Sequence, residues 1–145
     1  IPPFILAGQV DPPLGAIYEG QSTFTINVPF RSEDVNIPVQ ANVFRDLVPG
    51  SSGPYFLIER AVIAPGNFEE TRFATIEWNT TLTGTCHSLT MFLTHTDNYD
   101  LNGLPIDDFR AARVVWWTNV GDGDGQVRMA SCPSPSQNDA VPGGL

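Results

Sequence analysis

The chain has 145 residues, enough for one folded domain and short for two. Hydrophobic residues make up 41% and charged residues only 16%, which excludes a disordered or coiled-coil chain. The formal net charge is −9, and all seven positively charged residues are Arg. This balance argues against a nucleic-acid partner and against electrostatic docking to an anionic membrane surface.

The two ends of the chain differ in composition from its middle. Residues 1–18 hold four prolines around a short apolar segment, so they are predicted to form an extended arm or an edge strand. Residues 133–145 are rich in Pro, Ser, Gly and Asn and predict a C-terminal tail. The intervening residues 19–132 are expected to form a single β-sandwich domain.

Apolar and polar residues alternate along most of that middle part, which is the period of a half-buried strand. The first such segment spans residues 22–30, where every second residue is apolar. Six more follow, at 35–43, 55–64, 72–80, 86–96, 111–120 and 126–132. Only residues 107–112 fit a helical turn. We therefore predict an all-β fold, an antiparallel immunoglobulin-like sandwich of seven or eight strands, with a jelly roll or small barrel as the alternative.

Two prolines, Pro29 and Pro38, fall inside otherwise regular strand patterns. Proline cannot donate to a ladder, so each is expected at a sheet edge or a bulge.

The chain has two cysteines, Cys86 and Cys132, at the ends of predicted strands. This placement favours a disulfide that fixes a late strand to the sheet, and hence an oxidising compartment. The alternative is a pair of buried free thiols in a reducing cytosol. No apolar run reaches the roughly 18–20 residues that span a bilayer, so we predict no transmembrane segment and an exported, extracytoplasmic protein.

The adjacent pair Trp116-Trp117 lies in a predicted strand, where neighbouring side chains point to opposite faces. One indole is therefore expected in the core and the other on the outside. The outward indole is either covered by an arm or tail, or forms part of a binding surface together with Tyr99.

Acidic residues concentrate between positions 97 and 124. Within this segment Asn98, Asp100 and Asn102 alternate and Gly103 follows, as in the first half of a calcium loop. The bidentate Glu that completes such a loop is not supplied downstream. A solvated turn is the main interpretation here and calcium binding the alternative; Asp122 and Asp124 offer the same two choices.

No arrangement of residues predicts catalysis. His87 and His95 share the core-facing side of one predicted strand, about 26 Å apart, which is too far to ligate one metal ion. The serines lack a nucleophile-elbow context, and no glycine-rich phosphate loop precedes a helix. We expect a protein that is not an enzyme and has no cofactor, apart from the calcium alternative.

Several of these segments together resemble a known group. The stretch Cys86 to His95, the acidic loop with Pro105-Ile106-Asp107, the segment Arg113 to Trp117 and a late Cys132-Pro133 are similar to a pattern in uncharacterised cell-envelope lipoproteins of high-GC Gram-negative bacteria. The resemblance covers roughly the last 60 residues. It implies export, a sandwich fold and a Cys86–Cys132 bridge, and it carries over no functional residues.

The leading hypothesis is a non-catalytic structural or interaction module in the periplasm, at the outer membrane or on the cell surface. Its partner is another protein or a second copy of the chain, and an extended arm can add a strand to a neighbour's sheet. The alternative is a carbohydrate-binding module that uses an exposed Trp, with or without calcium. An enzyme that uses His95 with Asp97 or Asp100 is the third hypothesis.

Overall fold

The computed structural model describes residues 2–11, 17–19, 23–32, 36–48, 53–79, 86–119 and 141–142. These ranges hold short 3₁₀ turns and nine strands: β1 (Phe4–Ile5), β2 (Ile17–Glu19), β3 (Thr23–Arg31), β4 (Val39–Arg45), β5 (Phe56–Ile63), β6 (Arg72–Asn79), β7 (Cys86–His95), β8 (Ala112–Asn119) and β9 (Val141–Pro142). None of the described residues forms an α-helix. Accordingly, no described helix is long and apolar enough to cross a membrane.

The strands form two sheets. The smaller sheet has the order β1-β3-β6, and the larger has the order β2-β8-β7-β4-β5, with β9 also paired to β8. Every described pairing is antiparallel except that of β2 with β8. With β1, β3 and β6 as strands A, B and E, and with β4, β5, β7 and β8 as C, C′, F and G, this is the immunoglobulin-like order. The predicted all-β sandwich is confirmed, and the described sheets do not close into a barrel.

Alternating apolar residues of both sheets meet in one core, because each sheet buries the face that carries them. The smaller sheet contributes Ile26, Val28, Phe30, Ala74 and Ile76. The larger sheet contributes Val39, Ala41, Val43, Leu89, Met91, Leu93, Ala112, Val114 and Trp116.

The chain ends pair with strands of the sandwich. In the N-terminal segment, Phe4–Ile5 lies at the edge of the smaller sheet, with Phe4 opposite Arg31, and residues 17–19 pair with β8. In the C-terminal segment, Val141–Pro142 pairs with β8 beside Ala112 and Arg113. The predicted strand 126–132 and most of the predicted tail lie outside the described residues.

The two prolines differ in position. Pro38 directly precedes β4, so the strand begins at Val39 rather than at residue 35. Pro29 lies inside β3, the central strand of the smaller sheet, so the expectation of an edge or bulge is wrong there. Its carbonyl accepts a hydrogen bond from the Leu6 N–H at 3.0 Å, immediately after β1 ends. The missing donor is tolerated because the N-terminal segment leaves β3 after Leu6 and pairs with it again only where Asp11 lies opposite Asn27.

The pairing of β4 with β5 contains a β-bulge. Val43 lies opposite Glu59 and Phe44 opposite Leu57, so Ile58 is an extra residue in β5. Because of this extra residue, Ile58 packs against the core while its neighbour Leu57 lies near Phe44 on the outer face.

The outer faces of the two sheets are covered to different extents. On β6, Phe73, Thr75 and Glu77 are exposed, as the alternating pattern predicts. On β4 and β7, in the middle of the larger sheet, most of the residues that point outward are buried as well: Asn42, Phe44, Ser88, Thr90, Phe92 and Thr94. A segment that lies over β4 and β7 accounts for much of this burial.

Candidate functional site

The segment that covers the larger sheet is the connection between β7 and β8, residues 96–111, called here the β7–β8 loop. Its first half is a small hairpin in which Tyr99 pairs with Pro105. The Asp100 N–H donates to the Leu104 carbonyl at 2.8 Å, and the Ile106 N–H donates to the Asn98 carbonyl at 2.9 Å. A 3₁₀ turn, Asp108–Arg110, completes the loop, in agreement with the helical turn predicted within 107–112.

Asn98 forms the interior of the loop and is 1% exposed. Its Nδ2 donates to Thr94 Oγ1 at 3.1 Å and to the Asp107 carbonyl at 2.9 Å. Its Oδ1 accepts from the Asp107 N–H at 2.9 Å. Thr94 Oγ1 in turn donates to the Arg110 carbonyl at 2.8 Å. One buried amide therefore joins β7 to both halves of the loop.

Tyr99 attaches the loop to the sheet. Its hydroxyl donates to the carbonyl oxygens of Gln40 at 2.6 Å and Phe92 at 3.1 Å, on neighbouring strands. Burial raises the pKa of the Tyr99 phenol, and this outweighs the opposing effect of backbone hydrogen bonds from Thr94 and Asn42. The neutral phenol is therefore the form that belongs to the folded state.

Gly103 brings the tip of the hairpin onto β4 and β5. Its φ is +82°, and a Cβ at this position would lie 3.2 Å from Asn42 Nδ2 and 3.2 Å from Leu57 Cδ2. The Asn42 Nδ2 also donates to the Gly103 carbonyl at 3.0 Å. The left-handed backbone conformation therefore favours glycine here, and a Cβ would press on both of these side chains.

Two aspartates shape the turns of the loop. Asp100 Oδ1 accepts from the backbone N–H groups of Asn102 and Leu104, at 2.8 and 3.0 Å. Asp107 Oδ1 accepts from the Phe109 N–H at 3.0 Å and caps the 3₁₀ turn. These are Asx-type turns, which stabilise a loop without a metal ion.

The large apolar side chains of the loop point the other way, into solvent. Leu101 is 106% exposed relative to the reference residue, Phe109 is 81% exposed and Ile106 is 66% exposed. Asn98 thus points inward, whereas these three large apolar side chains lie in solvent beside the exposed aspartates of the loop. Large apolar side chains at such exposed positions are unusual in a loop. Because internal hydrogen bonds fix the backbone, these three side chains stand on a preformed support.

Two of the three predicted calcium ligands have structural roles in this arrangement. Asn98 directs its amide oxygen to a backbone N–H and Asp100 engages two, while Asn102 is exposed at the tip. Within the described part of the chain, no group of three or more His, Cys, Asp or Glu side chains is placed to hold a metal ion. Asp122 and Asp124 lie outside the described residues.

The two tryptophans point to opposite faces of β8, as predicted. Trp116 is 2% exposed and belongs to the core. Trp117 lies opposite Ser88 on the outer face and is half-buried. Of the three residues considered for a binding surface, Trp116 is inside, Trp117 is the outward indole, and Tyr99 uses its hydroxyl to hold the loop.

The two histidines stand at opposite ends of β7. His95 is 1% exposed, and its Nε2 lies 3.3 Å from Ser32 Oγ, a contact that joins the two sheets. His87 Nδ1 lies 2.8 Å from Asp46 Oδ2, and the Ser88 N–H donates to the other oxygen of that carboxylate at 3.0 Å. Both contacts fasten strands together.

The predicted disulfide cannot be placed, because Cys132 and the side chain of Cys86 lie outside the described residues. The backbone of Cys86 begins β7, opposite Asn119. The bridge remains a prediction.

A scan of protein-family models, a search of curated proteins and a search of solved structures each find no match to this chain. The resemblance to envelope lipoproteins therefore stays a prediction.

The exposed residues Leu101, Ile106 and Phe109 were not singled out from the sequence. A signal for them exists: three large apolar residues occur in a segment of Asp, Asn, Gly and Pro, where a loop is predicted and polar residues are expected. The strand pattern instead indicated Trp116-Trp117 as the candidate binding residues.

Proposed function

We propose that this protein is a non-catalytic interaction module that works outside the cytoplasm, and that the β7–β8 loop is its docking element. The observation that carries this proposal is the exposure of Leu101, Ile106 and Phe109 on a loop whose backbone is held by hydrogen bonds to its own side chains. Each of these side chains gains free energy when a partner removes it from water, at roughly 25 cal/mol per Å² of apolar surface.

The hydrogen bonds of Asn98, Asp100 and Asp107 support the same proposal through entropy. A loop that is ordered before binding loses little conformational freedom when it docks, so more of the contact energy appears as affinity. Gly103 and Tyr99 hold the loop against the sheet and keep its outer side in one orientation.

The extracytoplasmic location is supported by Cys86 and Cys132, which we propose to be bonded. Mass measurement of the intact protein, with thiol labelling before and after reduction, tests this directly. We expect labelling of both thiols only after reduction. Labelling of both in the unfolded, unreduced protein would contradict the proposed bridge and remove this support for export, because unfolding exposes buried free thiols as well.

The docking loop is tested by chemical cross-linking in an envelope fraction of the source organism. The wild-type chain is compared with the triple variant Leu101→Ser, Ile106→Ser, Phe109→Ser. Phe73→Ser is the matched control, because Phe73 is exposed at 52% but lies on the other sheet. All three replaced loop side chains are exposed, so the triple variant is expected to keep the wild-type unfolding curve.

We expect the wild-type chain and the Phe73 variant to form the same cross-linked product, and the triple variant to lose it. Phe109→Ser alone is expected to weaken formation of this product about tenfold, the effect of losing one aromatic anchor. Size-exclusion chromatography distinguishes a second copy from another protein in the product. A strict monomer with no loop-dependent product would contradict the proposal.

A further inference from the structure

The charges around the exposed apolar residues restrict the surfaces that can fit them. The β7–β8 loop contains four aspartates, at positions 97, 100, 107 and 108, and a single arginine, Arg110. Arg110 Nη2 lies 3.5 Å from Asp97 Oδ1, so the one cation of the loop offsets one of its four anions and an excess of negative charge remains. Apolar side chains and negative charge therefore occupy the same element.

These carboxylates fall into two groups. Asp100 and Asp107 each use one oxygen to accept backbone N–H groups of the loop. Asp97 and Asp108 are exposed, and the charge of Asp108 opposes the burial that lowers the pKa of Arg113. The charges of Asp97 and Asp108 can therefore be removed by substitution without removing a turn that shapes the loop.

The same charges disfavour two possible occupants. A second copy of the chain brings another net charge of −9, so two docking loops repel one another at moderate salt. A bilayer that took up Phe109 would also draw the carboxylates of Asp107 and Asp108 toward the headgroups, which is unfavourable at a neutral or anionic surface.

We infer that the β7–β8 loop binds a protein surface that combines apolar side chains with Lys or Arg. This inference rests on the proposed docking role of the loop and adds the chemistry of the partner. Leu101, Ile106 and Phe109 supply the apolar contact, while Asp97 and Asp108 attract the basic groups and set the orientation.

Synthetic peptides of equal length test the two components separately. One alternates Leu with Lys, a second alternates Leu with Glu, and a third alternates Ser with Lys. Their binding to the full chain is measured by fluorescence anisotropy, with phosphatidylcholine vesicles as a further probe. The variants are the triple loop variant and Asp97→Asn/Asp108→Asn, and the control is Glu69→Gln/Glu77→Gln, which removes the same charge from exposed positions outside the loop.

We expect the Leu–Lys peptide to bind about tenfold more tightly than either other peptide. The triple variant and the Asp97/Asp108 variant should each weaken this binding about tenfold, whereas the Glu69/Glu77 control should change it less than about twofold. Raising the salt concentration to about 0.5 M should weaken it as well.

Equal binding of the Leu–Lys and Leu–Glu peptides, both sensitive to the triple variant, would overturn the preference for basic groups and leave the docking loop standing. Equal effects of the loop and control charge variants would overturn it too, since the attraction would then come from the whole acidic chain.

Tighter binding to vesicles than to the Leu–Lys peptide would identify a membrane as the occupant. Peptide binding that no loop variant changes would overturn the inference, whereas the proposed function is judged by the cross-linked product.

Discussion

The strands of the smaller and the larger sheet have the same alternating sequence pattern, but the two sheets differ in how exposed their outward-pointing side chains are. On the smaller sheet, Phe73, Thr75 and Glu77 remain exposed. On the larger sheet, Phe92 and Thr94 are buried at 1% and 0% exposure. The period of two identifies a strand and its inward face, but the fate of the outward face depends on whether another segment lies over it.

The largest expected effect comes from a comparison of two phenylalanines that both point outward. Phe92 packs edge-to-face against Phe44, with ring centroids 5.9 Å apart, whereas Phe73 is 52% exposed. Phe92→Ala is expected to lower the free energy of unfolding by about 3–5 kcal/mol, because it leaves a cavity beneath the loop. Phe73→Ala is expected to lower it by less than about 1 kcal/mol. Urea unfolding measures both, and similar losses would contradict the difference between the faces.

Two glycines give the next comparison. Gly103→Ala places a Cβ against Asn42 and Leu57 in a left-handed backbone conformation, so we expect a loss of about 2–3 kcal/mol. Gly8, beside the smaller sheet, has nothing within 4 Å of a Cβ. Gly8→Ala is therefore expected to change stability by less than about 0.5 kcal/mol. Hydrogen exchange should also rise across residues 98–106 in the Gly103 variant alone; unchanged exchange there would show that Gly103 does not seat the loop.

Thr94 and Thr75 allow a buried hydroxyl to be compared with an exposed one. Thr94 Oγ1 donates to the Arg110 carbonyl and accepts from Asn98 Nδ2, whereas Thr75 Oγ1 donates to Asn27 Oδ1 on an exposed face. Thr94→Val preserves the shape and is expected to lose about 1–2 kcal/mol, because buried polar partners are left unsatisfied. Thr75→Val is expected to be neutral within about 0.5 kcal/mol. Thermal unfolding with matched midpoints for the two variants would contradict this.

The smallest effect concerns the attachment of the loop by Tyr99. Tyr99→Phe removes its hydrogen bonds to Gln40 and Phe92, and we expect a loss of about 1 kcal/mol at neutral pH. Because the folded state raises the pKa of this phenol, its contribution is complete below the ordinary tyrosine pKa of about 10 and declines as the pH rises above it. Stability measured between about pH 8 and 11 should therefore fall less steeply in the variant. Parallel curves would show that Tyr99 is not the group involved.

The sequence predicted strands β3 to β8 because their cause is local. Alternation correctly assigned the inward sides of β3, β4 and β7 and the opposite directions of Trp116 and Trp117. The turn at Asp108–Arg110 could likewise be predicted, because it depends on residues close together in sequence.

The site was harder to predict because contacts distant in sequence build it. Tyr99 reaches the carbonyl of Gln40, 59 residues away, and Asn42 reaches Gly103, 61 residues away. Asn98 has the side chain of a calcium ligand, but the loop uses that amide to bond its own backbone. Spacing along the chain does not distinguish these two uses of an Asn side chain.

The extra residue in β5 has a consequence for how the protein behaves when it is concentrated. β5 ends the described order of strands in the larger sheet, and Ile58 interrupts its regular ladder opposite β4. A bulge disturbs the even spacing of N–H and C=O groups that another chain's strand would need along its full length. Crowded copies of this protein are thereby hindered from stacking side by side into extended ribbons.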